Sequence, residues 1–571
     1  MSLLAPSRPA ARVSTRRKAA TAAIRASIIA TLTPALLPLV PRIRNPFGCS
    51  IPLWVLAKAG AASDERVESQ LAPVLLQRLG DPVLLKHAAP QSLANALYAL
   101  GKLREDQQHR GSGWDPTASA HLTALARAVA SRLRGAWGHG FNAQDTSNSL
   151  WACAKLGYRG SELSLPLAEA AAALAVLETL CGETLRRLRA PELAAAFKPQ
   201  ELTNILMALQ GLPQIGRQQS ELLAAAVAAV DLQRDFAGYN SQDLSDSAWA
   251  LAKMGYGQGT TPLSSKQSQW YAAAVAAAQR PGVMASAKPQ AWANLLYALA
   301  LVRYQPSPTL LEAGAASVME SGTAHSCAIT LWALAVLQLR HAGVESAVCD
   351  RLGELLWLHP ASVPVQHLSS SLWALAVLAG GGGPAGLAAA PLARALAEEA
   401  VRRRKDLTKG GLAQLWQARQ ELGNEVEALT RGPDVQAAME AAVAATQATG
   451  SNPSRTQEQA AKALLSLTQK GLLPIVSVWT ETAVEGMLGR VDIVTDWSFG
   501  RMVAVEVDGP IHFLRGRKGN VSAVDGSTAL RNRQLQRAFG KGNVLYVPYW
   551  HWNGLKTPAK QEAYLLRRLQ Q

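Results

Sequence analysis

Five cysteines stand in a chain of 571 residues, Cys49, Cys153, Cys181, Cys327 and Cys349, and no two of them form a C-x-x-C pair. That scatter excludes a disulfide framework and a zinc ribbon, and it suits a reducing compartment. Phenylalanine and tyrosine are also scarce, at 7 and 10, while alanine and leucine dominate, a balance that favours helices over strands. The apolar run around Ile28–Val40 is short and broken by Pro34 and Pro38, so it reads neither as a secretory signal nor as a membrane span. The glycine run at 380–384, "GGGGP", lacks the Lys-Ser/Thr of a phosphate loop and reads as a flexible turn. No kinase, nucleotide-binding or redox signature is present.

Acidic residues are missing from the start of the chain. The first is Asp64, and residues 1–63 hold nine Lys/Arg. An acid-free segment rich in Ala, Ser and Arg has the composition of an organellar transit peptide, with a disordered basic tail as the alternative. From residue 451 onward there are 16 Lys/Arg against 9 Asp/Glu, and the span 64–450 has 32 of each. The net charge of +16 therefore belongs to the two ends, and the C-terminal part carries the general attraction for polyanions.

What the middle has is repetition. "PQSLANALYALGKL", "AQDTSNSLWACAKLGY", "PQELTNILMALQGL", "SQDLSDSAWALAKMGY", "PQAWANLLYALALV", "AHSCAITLWALAVL" and "VQHLSSSLWALAVL" align on Tyr98, Trp151, Met207, Trp249, Tyr297, Trp332 and Trp373, with a weaker copy around Trp416. Each copy opens like a helix. Asn142 and Asn240 are N-caps with an Asp three residues on, and Pro90, Pro199 and Pro289 take the first helical position. Leu202, Ile205, Leu206, Leu209 and Leu212 keep the period of one buried face. Between copies lie Ala/Leu-rich runs such as "SELLAAAVAAV", each expected to be a second helix, and stacked helix pairs make an α-solenoid.

Two polar positions recur. Seven residues before the anchor stand Gln91, Gln144, Gln200, Gln242, Gln290, His325 and Gln366; three before it stand Asn95, Asn148, Asn204, Asp246, Asn294, Ile329 and Ser370. Amides there either satisfy backbone groups and bridge repeats, or meet nucleic-acid bases. Base-reading residues should vary between copies, and these scarcely do, which favours the structural role. The run Arg402-Arg403-Arg404-Lys405 reads as a solvated helix end or a phosphate contact.

The repeated phrases resemble the octotricopeptide-repeat proteins of organelles and, more distantly, the helical repeats of the Fas-activated serine/threonine kinase family. The resemblance spans residues 85–425, and it implies RNA binding by stacked repeats in chloroplasts or mitochondria. A protein-binding scaffold is the alternative for this region.

After "TQATGSNPSRTQ" the pattern changes to α-β-β-β-α-β-α, a small three-layer module. "VAVEVDGPIHF" alternates apolar residues and ends in two carboxylates two residues apart, Glu506 and Asp508, which a strand places on one face. With Asp492 on the preceding strand, this order resembles the restriction-endonuclease-like fold. More closely, "VDIV", "VAVEVDGPIHF", "STALRNRQLQRAFG" and "VLYVPYWHW" resemble a RAP domain, a module of organellar RNA-handling proteins.

The carboxylates admit two readings. In a nuclease, Asp492 and Glu506 would hold Mg²⁺ or Mn²⁺, Asp508 would add a ligand, and His512 would be the base, since arginine stays charged. Asp508 stands where the nuclease pattern has lysine. In a binding domain, Asp508 would cap the Gly509-Pro510 turn and Glu506 would pair with Arg531 or Arg533. Arg515, Arg517, Lys518, Arg531, Arg533 and Arg537, beside Tyr549, Trp550 and Trp552, would then grip RNA by phosphate neutralisation and stacking, with core packing as the alternative for the two tryptophans.

The expected architecture is mostly α: a transit peptide and disordered N-terminus (1–63), an α-solenoid of helical-hairpin repeats (85–425), a linker (426–454) and a small α/β RAP-like domain of restriction-endonuclease-like fold (455–571). The expected partner is single-stranded organellar RNA, with other RNA-processing or ribosomal factors, no membrane insertion, and no cofactor outside the nuclease reading. The chloroplast stroma is the first location and the mitochondrial matrix the alternative.

Overall fold

The computed structural model describes residues 27, 29–31, 33–59, 67–108, 120–134, 140–157, 167–212, 215–258, 266–312, 319–380, 390–448, 453–516 and 521–570. The protein is mostly helical, with helical repeats followed by a small C-terminal α/β domain. It divides into two compact units, Met1–Tyr239 and Asn240–Gln571.

In the first unit four helices pack side by side: α1 (Phe47–Lys58), α2 (Pro90–Gln108), α3 (Ala143–Lys155) and α4 (Pro199–Gly211). A second layer, Ala120–Arg134, Leu167–Arg189 and Arg217–Gln233, packs behind them. The expected starts are in place. Asn142 accepts from the Asp145 amide at 2.8 Å while Asp145 accepts from the Asn142 amide at 3.1 Å, which satisfies two orphan donors at once. Helix α1 corrects the N-terminal boundary. Against the expectation of disorder over 1–63, Cys49, Leu53, Leu56 and Ala57 are buried and α1 packs on α2 as another first helix. It carries Phe47 where most other copies have glutamine seven residues before the anchor. Residues 1–26 lie outside the described residues.

The second unit continues the pattern with α5 (Ser241–Lys253), α6 (Pro289–Leu301), α7 (Ala324–Leu337), α8 (Val365–Ala379) and α9 (Lys409–Arg419). The span 426–454, read as a linker, is mostly helix instead: Asn424–Leu429 and Pro433–Ala448 bury Val426, Val435, Met439 and Ala442. Its Ala-rich run has the 3.6-residue period of a packed helix, a signal masked by the polar residues that follow.

The C-terminal domain has the expected layers. Helices α10 (Arg455–Gln469) and α12 (Pro558–Gln570) cover one face of a four-stranded sheet, and α11 (Gly526–Phe539) covers the other. The strands are β1 (Ile475–Ala483), β2 (Arg490–Trp497), β3 (Arg501–Asp508) and β6 (Val544–Pro548), in the order β1-β2-β3-β6. Only β3 and β6 run parallel, joined by the α11 crossover. A small hairpin, β4 (Phe513–Arg515) and β5 (Val521–Val524), adds to the expected order. Val503 and Val505 pack toward α10 and α12 while Ala504 meets Leu535 of α11. By the same alternation Glu506 and Asp508 face α11. Among the described residues no helix is long and apolar enough to cross a membrane.

Candidate nucleic-acid interface

In α2, α4, α5 and α6 the helix is hemmed in by its neighbours and by the layer behind, so a single line of side chains escapes burial. From Ser92 to Leu103 in α2 every residue is buried except Asn95, Tyr98 and Lys102. From Glu201 to Leu209 in α4 only Asn204 and Met207 escape, from Asp243 to Ala252 in α5 only Asp246 and Trp249, and from Ala291 to Ala300 in α6 only Asn294 and Tyr297. Steps of four and three residues keep these positions on one helix face. Within each unit the amide and the anchor residue of these helices therefore share one face, which carries Gln at its N-terminal end.

One turn past the aromatic the line continues as lysine in several copies: Lys58 after Trp54, Lys102 after Tyr98, Lys155 after Trp151 and Lys253 after Trp249. This lysine, and the whole α1 member, escaped the sequence reading. The signal was present as a basic residue at i+4 from the anchor. Within the first unit the line is continuous. Lys58 Nζ donates to Tyr98 Oη at 3.2 Å and lies 5.7 Å from the Trp54 ring, Tyr98 and Trp151 rings meet at 5.1 Å, and Lys155 sits 5.5 Å from the Trp151 ring. Cations beside aromatics in a row form a surface suited to phosphates and bases. Some of the amides also bridge repeats: Asn294 donates to Asp246 at 3.1 Å and accepts from Gln290 at 2.7 Å.

In the C-terminal domain the structure gathers Asp492, Glu506, Asp508, His512 and Arg531 around one cleft of about 310 Å³. Glu506 accepts from Arg531 through both prongs of the guanidinium, at 2.8 Å each, and Arg531 also donates to the carbonyls of Leu488 and Arg490. Asp492 accepts from the Val507 amide at 2.8 Å. His512 Nδ1 lies 3.1 Å from Thr528 Oγ1 and 3.6 Å from Asp508. Burial, reinforced by the neighbouring Glu506 charge, pushes both Asp492 and Asp508 up to about 7. Burial also lowers the His512 pKa. Burial works against the Arg531 charge, but Glu506 outweighs it and holds the guanidinium above its ordinary value.

This donor set does not fit a divalent ion. Both Glu506 oxygens are committed to a fixed cation, and Asp492 is turned onto a backbone amide. Arg531 occupies the role that a metal would play in the nuclease reading: it neutralises the carboxylates from a covalently anchored position.

The expected RNA-gripping arginines serve other ends. Arg515 is buried and donates to the Gly257 carbonyl at 3.0 Å, and its own backbone bridges to Arg303 and Gln305. Arg533 donates to Glu421 at 2.9 Å and to the Ala376 carbonyl at 2.8 Å; Arg537 reaches Glu421 at 2.6 Å. Gln338 donates to the Val524 carbonyl, and Arg303 pairs with the buried Asp525 that caps α11. These contacts seat the domain against the C-terminal ends of α5 to α9, where cations meet unpaired carbonyls. Their partners lie up to 258 residues away in sequence, so basic residues near aromatics looked like phosphate contacts. Trp552 is core, bonded to Gln459, whereas Trp550 is part-exposed and packs edge-on to Phe513. Arg517 and Lys518 lie outside the described residues. Of the basic run, Arg402 pairs with Glu399, Arg403 donates to the Val363 carbonyl and Arg404 pairs with Asp434.

Residues 505–568 match the family model of the RAP domain. That domain is generally an RNA-binding domain. The match begins within β3 at Val505 and takes in Glu506, Asp508, Arg531 and the docking arginines. No curated protein matches the chain.

Proposed function

We propose that the protein binds single-stranded RNA in an organelle, the chloroplast stroma first and the mitochondrial matrix second, and acts on transcript stability, processing, splicing or translation. The observation that carries this reading is the line of amide, aromatic and lysine that the first helices leave unburied, in a chain that also holds a RAP domain. The repeats, of octotricopeptide type, supply the track, and the RAP domain is fixed to the helix ends beside it. Cleavage is the weaker reading, because Glu506 is committed to Arg531.

The test is anisotropy of a labelled single-stranded RNA with the full chain, across about 50 to 200 mM salt. Affinity should fall with salt, and K58E/K102E/K155E should weaken it and flatten the slope. A chain that ignored RNA while retaining protein partners after nuclease treatment would be a scaffold.

A further inference from the structure

A second cleft, of about 740 Å³, opens between the last repeat and α11 of the RAP domain. It shares no lining residue with the acidic cleft. Its size falls within the roughly 300–1,000 Å³ of small-ligand sites. Three arginines line it, Arg419 at the end of α9, Arg431 beyond Leu429, and Arg537 on α11, together with Glu427 and Glu485. The amides of Gln420 and Gln436 complete the polar wall, with the buried Gln534 bonded to Gln417 and Gln420 behind them.

Arg419 and Arg431 take no part in docking the domain, whereas Arg537 docks it through Glu421 and Gln420. Among the described residues Arg419 has no carboxylate partner; its guanidinium lies 5.9 Å from the Trp416 ring centroid. Arg431 pairs with Glu427 at 3.2 Å, but both side chains are largely exposed, at 69% and 46%. Such a pair is weak and exchanges readily for a better anion. Arg537 holds Glu421 through one nitrogen and remains half-exposed. Arg533, by contrast, is spent on Glu421 and the Ala376 carbonyl.

We propose that this cleft is where the RAP domain takes RNA: it receives one nucleotide unit of a strand, with its phosphate between Arg419, Arg431 and Arg537 and its base edge on the glutamine amides. The inference rests on the RNA-binding reading and moves the RAP contribution away from Arg515 and Arg533, the residues that their sequence neighbourhood singles out. Guanidinium forks suit phosphate oxygens, and amides offer both a donor and an acceptor to a base edge.

The experiment uses the full chain and a labelled mixed-sequence single-stranded RNA. The charge-reversed R419E/R431E protein is compared with R217E/R394E, which makes the same charge change on exposed second helices. Thermal melts confirm that each variant folds. The cleft variant should bind about tenfold or more weakly, and its salt slope should fall by about 1.4, at roughly 0.7 per lost single-strand phosphate contact. E427Q/E485Q, which removes two negative charges from the wall and releases Arg431 from its ion pair, should bind more tightly than the unaltered chain. Equal weakening in the two charge-reversed proteins, or no tightening in E427Q/E485Q, overturns the cleft and leaves the RNA reading standing. If the unaltered chain ignores the oligonucleotide, both fall. Displacement of the RNA by AMP or inorganic phosphate at micromolar concentration would assign the cleft to a free phosphate compound and overturn the strand as its ligand.

Discussion

Arg531 and Glu506 meet as a two-pronged pair across the space between α11 and β3, with both contacts at 2.8 Å. Glu506 is 7% exposed at its side chain, so removing the guanidinium would strand one carboxylate beside two more. Breaking such a pair costs about 3–5 kcal/mol. R531A should therefore lower the stability of the unit holding the RAP domain by about that amount in urea titrations, with R531K recovering part of it because lysine keeps the charge and loses the fork. A neutral R531A protein would mean that the pair is not formed.

The same pair bears on cleavage. RNA incubated with the chain and Mg²⁺ or Mn²⁺ should run intact on a denaturing gel, and chelator should not shift the melting temperature. Metal-dependent cuts that vanish in D492A and E506A would restore the nuclease reading.

Asp492 and Asp508 give a pH dependence of definite sign. Both are raised from 3.8 to about 7 in the fold, so between about pH 4 and pH 7 the folded protein holds more protons than the unfolded chain. Stability supplied by the protonated acids is complete below about pH 4 and is lost as the pH climbs through 7. His512, lowered by burial, acts oppositely as the pH falls below its usual range. The expected net result is a drop on the order of 2 kcal/mol from pH 5 to pH 8, since moving a pKa by one is worth about 1.36 kcal/mol and the two acids share one environment. D508N keeps the shape without the charge and should flatten the profile and melt higher than the unaltered chain at pH 8. Parallel profiles for the two proteins would refute the assignment to Asp508.

The repeats were legible because their cause is local. Caps, first-position prolines and a 3.6-residue period specify Ala143–Lys155 or Pro199–Gly211 from a dozen residues. The order of the C-terminal elements was readable for the same reason, as was the shared face of Glu506 and Asp508. What could not be read depended on distant partners. Arg533 looks like a phosphate contact until Glu421 and the Ala376 carbonyl are found beside it, 112 and 157 residues away. The choice of Arg531 over Arg533 for Glu506 likewise turned on which face of α11 meets β3. Phe47–Lys58 was missed for another reason: an apolar helix without the repeated opening, next to an acid-free stretch, carries no boundary signal of its own.

The docking of α11 makes one glycine decisive. A Cβ on Gly526 would fall inside the Ala335 carbonyl at the end of α7 and press on Val377 of α8. Backbone cannot yield as a side-chain tip does, so G526A should cost about 3 kcal/mol or more and expose the domain boundary to limited proteolysis. G182A, in an open position within Leu167–Arg189, should instead stabilise by about 0.4–1 kcal/mol. If G526A melts like the unaltered chain, the α7–α11 contact is looser than described.

The position one turn past each anchor changes character along the chain. It is Lys58, Lys102, Lys155 and Lys253 in α1, α2, α3 and α5, Gly211 in α4, and Leu301, Val336 and Val377 in α6, α7 and α8. Val336 and Val377 are buried where the RAP domain covers the ends of α7 and α8, so a lysine there would lose its hydration without a partner. The lysines thus persist where the line stays open, which is where a strand can be neutralised. K102E and K155E should each reduce the salt slope of RNA binding by about 0.7, while W151A should weaken affinity by about 1–3 kcal/mol with the slope unchanged, because a stacked base carries no charge. V336K should unseat the domain and leave the slope alone. An unchanged slope in K155E would show that the strand does not follow the lysines, and the open line would then be a packing feature of the repeats.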